Sequence, residues 1–455
     1  MDVDVIVIGT GQAGAPLAAR LAEAGRRVVI VERGPVGGTC VNTGCTPTKT
    51  MIASARAAHV ARTATRLGVR ADDVRVDLAA VVRRKEKVVR QWRHGVESRL
   101  ERAGERLTLV QGHARFTAMR EIEVAGDRYR AETIVVNAGA RPVVPAIDGL
   151  AQVDFLDNDG AMKLVERPDH LLVLGGGYVG CELGQMFRRF GSDVTIVDRG
   201  PHLLSREDVD VSEAIERVFI EEGIGLRLEA MVEGVRRHGR GIELRLATGD
   251  ELRGSHLLVA AGRRPNTDDL GCDAAGIRLD EAGAIVVDDR FRTSADGVYA
   301  VGDVNGGPQF THASWDDHRI LFDVLNGRDR SAAGRLVPYA VFTDPQIARV
   351  GLSERDAQRQ ATRVEIARLP FGSISRAIEI DETPGLVKIL IDPASEHVLG
   401  AAIVGIEAGE LIHIIVALMQ GGTAARALVD AQIVHPTLAE GLQTALMKLP
   451  RFALA

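Results

Sequence analysis

Two cysteines five positions apart are the residues most able to do chemistry in this chain. Cys40 and Cys45 lie in the run GGTCVNTGCTPTK, which begins at Gly37. The other two cysteines, Cys181 and Cys272, have no motif around them, so we expect small buried side chains there and no disulfide scaffold. No second cluster of Cys or His follows at the spacing of a zinc site, and we predict no metal site. A pair of thiols can store and release two electrons, so redox chemistry is the first hypothesis.

A glycine-rich turn stands about thirty residues upstream of these cysteines. The apolar run at residues 5–8 is typical of a buried parallel strand, and a helix over residues 15–24 and a strand over residues 27–32 follow the turn. Glycines let a pyrophosphate approach the helix N-terminus, and the carboxylate of Glu32 suits a ribose hydroxyl. The segment therefore predicts a dinucleotide site. The glycines of the turn are Gly9, Gly11 and Gly14.

The same pattern recurs later in the chain. A strand over residues 170–174, a helix over residues 181–190 and a strand over residues 194–198 surround a second glycine-rich turn, and the last strand ends at Asp198. Two dinucleotide sites point to two cofactors, one able to stay bound while the other exchanges. The glycines of this second turn are Gly175, Gly177 and Gly180.

The chain is long enough for several domains. It has 455 residues, and residues 51–105 are helical in pattern, whereas an apolar helix at residues 409–420 stands among alternating strands. We predict an α/β fold with two Rossmann-like dinucleotide-binding domains and a C-terminal α+β domain. The predicted boundaries are 1–150 and 266–335 for two parts of the first nucleotide domain, 151–265 for the second nucleotide domain, and 336–455 for the C-terminal domain.

Composition excludes several function classes. Apolar residues make up 45% and charged residues 26% of the chain, as in an ordinary globular protein. A net charge of -6 offers no electrostatic basis for binding nucleic acid. The apolar run near the N-terminus is too short to span a membrane, and it follows Asp2 rather than a basic segment. We therefore expect a soluble cytoplasmic protein with no nucleic-acid and no membrane partner.

Taken together, the motifs resemble the class I pyridine nucleotide–disulfide oxidoreductases, the family of dihydrolipoamide dehydrogenase, glutathione reductase and mercuric reductase. The resemblance covers nearly the whole chain and includes Gly302 with Asp303, the sequence FTDP at residues 342–345, and His435 with Glu440. It implies FAD at the first glycine turn, NAD(H) or NADP(H) at the second, and a homodimer formed by the C-terminal domain.

The resemblance also implies an electron path, from the reduced nicotinamide through the flavin to the Cys40–Cys45 disulfide and from the dithiol to a substrate. Cys45 is expected beside the flavin, where its thiolate should be stabilised, and Cys40 is expected to attack the substrate. His435 of the partner subunit, oriented by Glu440, would exchange protons with the thiols.

Further site residues carry over from the same family. Lys49 and Glu182 match the pair near the flavin N5, and Tyr178 matches a tyrosine that gates the nicotinamide pocket in some relatives, although packing against the helix start is an equal alternative. The residues expected to bind FAD are Gly9, Gly11, Gly14, Glu32, Gly38, Thr39, Lys49, Gly139, Asp303, Thr311, His312 and Ala313. Those expected to bind NAD(P) are Gly175, Gly177, Gly180, Asp198, Arg199 and Gly262.

Within the family, we favour a reductase of a low-molecular-weight disulfide. Dihydrolipoamide dehydrogenase is the main alternative. The sequences GTCVN at residues 38–42 and AGELI at residues 408–412 suggest mercuric reductase. However, the chain ends without a vicinal cysteine pair and carries no added N-terminal Cys-x-x-Cys domain. A non-enzymatic electron-transfer subunit is the fourth hypothesis. The chain carries a suitable residue at every catalytic position of the family, which argues against it.

Two further expectations concern the second nucleotide unit. The carboxylate of Asp198 and the complete three-glycine turn ending at Gly180 favour NADH, whereas Arg199 and Arg206 could accommodate the extra phosphate of NADPH. We expect the acidic run at residues 206–210 to be a solvated helix start rather than a metal site.

Overall fold

The computed structural model describes residues 1–453. Its strands are, in chain order, β1 (Asp2–Ile8), β2 (Val28–Glu32), β3 (Leu107–Gln111), β4 (Ala114–Ala118), β5 (Glu121–Val124), β6 (Asp127–Val136), β7 (Ala140–Pro142), β8 (His170–Leu174), β9 (Asp193–Val197), β10 (Gly225–Arg227), β11 (Val232–His238), β12 (Gly241–Leu246), β13 (Glu251–Gly254), β14 (His256–Val259), β15 (Arg263–Pro265), β16 (Val298–Ala300), β17 (Tyr339–Val341), β18 (Gln346–Gly351), β19 (Glu365–Pro370), β20 (Leu386–Ile391) and β21 (Val398–Gly405).

The α-helices are α1 (Gly14–Glu23), α2 (Gly38–Asn42), α3 (Cys45–Thr63), α4 (Leu78–Arg102), α5 (Asn158–Ala161), α6 (Tyr178–Phe190), α7 (Val209–Glu221), α8 (Thr311–Leu325), α9 (Glu354–Arg359), α10 (Ser375–Glu379), α11 (Ala408–Gln420), α12 (Arg426–Val429) and α13 (Glu440–Met447). None of the helices within residues 1–453 combines the length and the hydrophobicity needed to cross a membrane.

The chain divides into two compact units. Unit 1 contains residues 1–50, 80–143 and 262–335, and unit 2 contains residues 51–79, 144–261 and 336–453. Unit 1 includes the first glycine-rich turn and both cysteines of interest, whereas unit 2 includes the second turn and the C-terminal segment. The four domain boundaries expected from sequence stay a prediction.

Unit 1 is built on a seven-stranded sheet with the order β3-β2-β1-β6-β5-β4, to which β16 adds beside β6. The strands β3, β2, β1, β6 and β16 are parallel, and β4 and β5 are antiparallel to their neighbours. Ile6 in the central strand pairs with Val29 on one side and Ile134 on the other, and all three are fully buried. Burial on both faces explains the continuous apolar runs of these strands.

The helix that follows β1 shows why the chain turns where it does. In α1, Pro16 lies in the first turn, where a missing N–H costs nothing, and buried alanines and leucines face the sheet. Gly25 closes the helix with φ 94°, a conformation that glycine adopts without strain. Predicted helix bounds of 15–24 differ from α1 by one residue at each end.

Unit 2 contains a second parallel sheet, with the order β10-β9-β8-β14. Leu172 in β8 pairs with Thr195 in β9 and with Leu257 in β14. The helix α6 packs on β8 and β9 and begins at Tyr178, three residues earlier than predicted. Its C-terminus is closed by Gly191 with φ 105°.

The C-terminal part of unit 2 is a five-stranded antiparallel sheet with the order β17-β18-β21-β20-β19. The helix α11 packs on β18 and β21, and α13 packs on β19 and β20. Phe371, Ile403, Ile415 and Leu446 are fully buried in the shared core. The predicted fold class, two Rossmann-like α/β parts and a C-terminal α+β part, is confirmed.

Candidate active site

The two candidate redox cysteines lie on two successive helices that follow β2. Residues 35–38, here called the dithiol turn, lead into the short helix α2, which contains Cys40. Gly37 has φ 104° and Gly38 has φ 62°, conformations that other residues adopt only with strain. Cys45 is the first residue of the nineteen-residue helix α3.

The sulfur of Cys45 lies where two helices of unit 1 begin. The hydroxyl of Thr311 is 3.1 Å from this sulfur, and Thr311 is the first residue of α8, just as Cys45 is the first residue of α3. The positive ends of two helix dipoles favour a negative charge on the sulfur. Thr311 was predicted as an FAD contact, and the structure shows it contacting the thiol.

A hydrogen bond from the Cys40 thiol joins the two cysteines. A hydrogen bond from the Cys40 thiol to Cys45 raises the pKa of Cys40 most, burial and the charge of Cys45 raise it further, and Thr311 and Lys49 act in the opposite direction. Cys40 is therefore a thiol at neutral pH and needs a base before it can act as a nucleophile.

The first glycine-rich turn is closed by a side chain that the sequence did not single out. The amide oxygen of Asn137, at the end of β6, accepts a 2.9 Å hydrogen bond from the N–H of Gly14, and its amide nitrogen donates to the carbonyl of Val301. A Cβ on Gly9 would lie 2.3 Å from the carbonyl oxygen of Asn137. The turn is thus tight enough for backbone N–H groups to face a pyrophosphate, and these residues fit a dinucleotide.

The carboxylate of Glu32 is held at the end of β2 beside this turn. One oxygen accepts from the N–H of Thr10 at 3.0 Å and from the Thr10 hydroxyl at 2.5 Å, and the other accepts from the N–H of Gly34 at 2.9 Å. The fixed carboxylate supplies the acceptor that the ribose of a dinucleotide requires.

The dithiol turn approaches the first glycine turn closely. A Cβ on Gly38 would lie 2.8 Å from the Cα of Gly11, a distance that real Cβ atoms do not reach. Position 38 therefore needs glycine, and so does position 11, where a Cβ would lie 2.8 Å from Oδ1 of Asn137. The backbone that carries Cys40 rests directly on the turn that fits a pyrophosphate.

Other predicted FAD residues also lie in unit 1. Asp303 follows Gly302 in a 3₁₀ turn, and burial raises the pKa of its carboxyl, an effect that Arg263 at 3.9 Å opposes. At the start of α8, Ala313 is buried, whereas His312 is exposed and stacks on the ring of Phe310. Other predicted FAD residues of the same unit are Thr39 in α2 and Gly139, which has φ 68°.

The second glycine-rich turn repeats the geometry of the first in unit 2. A Cβ on Gly180 would lie 1.9 Å from the carbonyl oxygen of Gly175, and a Cβ on Gly175 would lie 2.5 Å from that of Ala260. The two oxygens of Asp198 accept from the N–H groups of Gly176 at 2.6 Å and Gly200 at 2.7 Å. The turn and its carboxylate fit a second dinucleotide.

The remaining residues predicted around the nicotinamide are spread over both units. Gly177 directly precedes α6, and Tyr178, its first residue, is 36% exposed. Arg199 is exposed in the loop after β9. Glu182 is buried in α6, and its carboxylate accepts a 2.8 Å hydrogen bond from the N–H of Phe342. Gly262 belongs to unit 1, where its carbonyl accepts from the N–H of residue 143. Because Lys49 also belongs to unit 1, its pairing with Glu182 stays a prediction.

The expectation that residues 206–210 form a solvated helix start is wrong for two of them. Glu207 and Asp208 are buried and bind Arg349 at 2.8 and 3.0 Å. Burial opposes ionisation of Asp208, but the bonds and charges of Lys388 and Arg349 outweigh it and lower its pKa to about 2. The C-terminal sheet supplies both cations, from β18 and β20, and so holds the loop that follows β9.

Within residues 1–453, one group of three carboxylates has the spacing of a metal site, namely Asp208, Asp210 and Glu354. The ammonium of Lys388, which is fully buried, lies 2.9, 2.6 and 2.7 Å from their oxygens. A lysine cation therefore already occupies the position that a metal ion would take. Cys181 and Cys272 are both buried, as expected.

The predicted acid–base pair lies in unit 2. Nδ1 of His435 is 2.9 Å from one carboxylate oxygen of Glu440, and the other oxygen accepts from the N–H of Thr437 at 2.8 Å. These two bonds, the backbone one first, lower the pKa of Glu440. The imidazole side chain is 69% exposed, so its other nitrogen can reach a group outside this chain.

Comparison with known proteins gives the family. The model described as pyridine nucleotide-disulphide oxidoreductase matches residues 3–317, and the model of the dimerisation domain of this family matches residues 337–446. The chain is 35% identical to the probable pyridine nucleotide-disulfide oxidoreductase RclA of Escherichia coli, over 96% of this chain and 97% of that protein. It is also 35% identical to the dihydrolipoyl dehydrogenase of Thermus scotoductus, over 99% and 98%.

A solved structure agrees over the full length. The Cu(II) complex of the HOCl-induced flavoprotein disulfide reductase RclA from Escherichia coli superposes with a TM-score of 0.91 at 34% identity, covering 99% of this chain and all of that one. Such a match identifies an oxidoreductase of the flavoprotein disulfide reductase type, whose members use FAD and NAD(P)H and pair through the dimerisation domain. The chain therefore belongs to the pyridine nucleotide–disulfide oxidoreductase family.

Proposed function

We propose that this protein reduces a low-molecular-weight disulfide with NADH through Cys40 and Cys45, with His435 of the partner subunit as the acid–base group. One observation carries the proposal: the Cys40 thiol bonds to a Cys45 sulfur that lies at the start of two helices. This arrangement separates a protonated thiol from a sulfur that can hold negative charge. We also propose a cytoplasmic location and the four domain segments expected from sequence.

The cofactors would bind at the two glycine turns. Glu32 and the turn of Gly9, Gly11 and Gly14 would hold FAD, and Asp198 with the turn ending at Gly180 would hold NADH. The bound flavin would supply the two electrons that open the Cys40–Cys45 disulfide. All other steps use the side chains of the protein.

The thiol chemistry starts with the proton of Cys40. Because Glu440 binds Nδ1 of His435, the other ring nitrogen is the base that takes this proton. The Cys40 sulfur attacks the substrate disulfide, and the leaving thiolate takes the proton from His435 as the first product thiol. The sulfur of Cys45 then attacks the mixed disulfide, so the Cys40–Cys45 disulfide forms and the second product leaves as a thiolate, which takes a proton from water.

NADH is the proposed reductant because of the charge at Asp198. Its carboxylate is already fixed by two backbone N–H groups, beside the position of a ribose, and would repel a 2′-phosphate. Comparison of kcat/KM for NADH and NADPH tests this choice, and a clear preference for NADPH contradicts it.

The substrate is tested by anaerobic reduction with NADH followed by a panel of disulfides. Oxidised glutathione, lipoamide and other small disulfides form one arm, and turnover of a disulfide other than lipoamide supports the proposal. If lipoamide alone turns over, the protein is a dihydrolipoamide dehydrogenase. Bound FAD without turnover of any disulfide contradicts the proposal and favours an electron-transfer subunit.

A second candidate function is the reduction of a thiol-reactive metal ion by the same dithiol. It is favoured by the resemblance to an RclA solved as a Cu(II) complex and to a mercuric reductase of Lysinibacillus sphaericus, 34% identical over 97% of this chain and 82% of that protein. Thiolates bind such ions well. Cu(II) and Hg(II) belong in the same panel, and faster turnover of either ion than of every disulfide would favour this function.

A further inference from the structure

A threonine of the first glycine turn joins the nucleotide carboxylate to the dithiol turn. The side chain of Thr10 is 1% exposed, and its hydroxyl donates to Glu32 at 2.5 Å. The same hydroxyl oxygen accepts from the N–H of Gly37 at 3.0 Å. One end of the dithiol turn is therefore fixed to a carboxylate that is itself held by the backbone at Gly34.

An asparagine holds the same turn from its other side. The amide nitrogen of Asn42 donates to the carbonyls of Pro35, Val36 and Gly38 at 3.2, 2.9 and 3.0 Å. Its amide oxygen accepts two hydrogen bonds from Arg93 in α4, at 3.0 and 2.8 Å. Every hydrogen-bonding group of this amide is used, and Arg93 fixes its orientation.

We propose that Thr10 and Asn42 are positioning residues that fix the dithiol turn. They thereby hold Cys40 where its sulfur can form a disulfide with Cys45. The inference rests on the proposed function, because it assigns the pair a reversible disulfide. Neither side chain acts on the substrate itself. Each acts on Cys40 through the backbone, Thr10 from the nucleotide turn and Asn42 from α4.

Fixing the turn has a thermodynamic consequence for the dithiol. Holding two thiols side by side raises their effective concentration towards each other and so favours the disulfide. A buried N–H left without its acceptor changes an equilibrium by a factor of roughly five to 100. Loosening the turn should therefore lower the oxidation equilibrium constant of the pair by about tenfold, a shift of its reduction potential by about 30 mV to less negative values.

The test is a redox titration of the FAD-bound dimer with reduced and oxidised glutathione, without nicotinamide. Two glutathione thiols reduce the Cys40–Cys45 disulfide and leave as one glutathione disulfide, and alkylation of Cys40 and Cys45 at each ratio counts the reduced pair. Thr10→Val should shift the potential by about 30 mV, whereas Thr10→Ser keeps the hydroxyl and should restore it. As a matched control, Thr63→Val removes a hydroxyl bond to the carbonyl of His59 in α3 and should not shift it.

Asn42→Asp is the second variant, and it does not touch Glu32. The new carboxylate keeps its pairing with Arg93 but cannot donate to the three carbonyls, so the shift should be at least as large as for Thr10→Val. If the reduction potentials of both variants are equal to or more negative than that of the wild type, the inference is overturned but the proposed function is not. The same holds if Thr10→Ser shifts the potential as much as Thr10→Val does. A wild-type pair that does not oxidise reversibly overturns the proposed function, and the inference with it.

Discussion

The two glycine turns share one backbone design but differ in what holds the carboxylate beside them. A Cβ on Gly14 or on Gly180 would meet the carbonyl of the first glycine of its turn at 2.0 or 1.9 Å, so the turns are equally tight. Yet Glu32 accepts hydrogen bonds from a side-chain hydroxyl as well as from backbone N–H groups, whereas the donors to Asp198 within residues 1–453 are backbone N–H groups.

The segments that follow the two carboxylates differ further. After Glu32 the chain forms the dithiol turn, which Thr10 fixes to the nucleotide carboxylate. After Asp198 the chain forms a loop whose far end, at Glu207 and Asp208, is bound by cations of the C-terminal sheet. Thus the first glycine turn is joined to the segment of the candidate redox cysteines, and the loop after the second carboxylate is bound to the part of the chain that matches the dimerisation domain.

The largest expected effect comes from replacing the two cysteines, which lie outside both glycine turns. Cys40→Ser and Cys45→Ser should each abolish disulfide reduction while FAD stays bound, because neither cysteine belongs to a glycine turn. Cys40→Ser should keep a long-wavelength absorption of thiolate and flavin, since Cys45 remains. Survival of this band in Cys45→Ser instead would reverse the two roles, and spectra of both variants decide the matter.

The buried lysine tests whether the second turn depends on the C-terminal sheet. Lys388→Met leaves Asp208, Asp210 and Glu354 without their shared cation, which should cost about 3–5 kcal/mol of unfolding free energy. Denaturant unfolding measures this loss. The exposed Lys448→Met is the matched control and should stay within about 0.5 kcal/mol of the wild type.

A pH series checks the same cluster in the wild type. The bonds to three carboxylates outweigh burial and raise the pKa of Lys388. Its contribution to stability is therefore complete below the unfolded value of about 10.4 and is lost as the pH rises through the folded value. Equal alkaline destabilisation of the wild type and of Lys388→Met would contradict this role.

Paired alanine substitutions break one nucleotide turn at a time. Gly14→Ala should weaken FAD binding, and Gly180→Ala should raise KM for NADH with FAD retained, each by roughly 100-fold, or about 3 kcal/mol, because the added Cβ meets a carbonyl oxygen. Gly95→Ala in α4, where a Cβ meets nothing within 4 Å, is the control. Loss of FAD in Gly180→Ala would show that the two turns do not act separately.

The smallest effect concerns the choice between the nicotinamide cofactors. Asp198→Asn removes a charge that repels a 2′-phosphate and should narrow the preference for NADH by about tenfold in kcat/KM. Asp193→Asn, at the other end of β9 and exposed, is the matched control. An unchanged ratio in Asp198→Asn would remove the basis for proposing NADH.

Local patterns predicted the fold well and long-range contacts poorly. The glycine turns and their strands could be read from the sequence because strand, turn, helix and acid follow one another within thirty residues. Asn137 was missed because its partner Gly14 is 123 positions away. The burial of Asp208 was mispredicted because its cations lie 141 and 180 positions further along, at Arg349 and Lys388.

The close approach of Gly38 to Gly11 sets an order in which this site can change during evolution. A single nucleotide change can replace either cysteine and would end the proposed redox chemistry. The two glycines have no such freedom, because a Cβ on Gly38 would lie 2.8 Å from the Cα of Gly11 and a Cβ on Gly11 would lie 2.8 Å from Oδ1 of Asn137. In descendants of this protein that have lost the thiol chemistry, this glycine pair should be retained after the cysteines have been replaced.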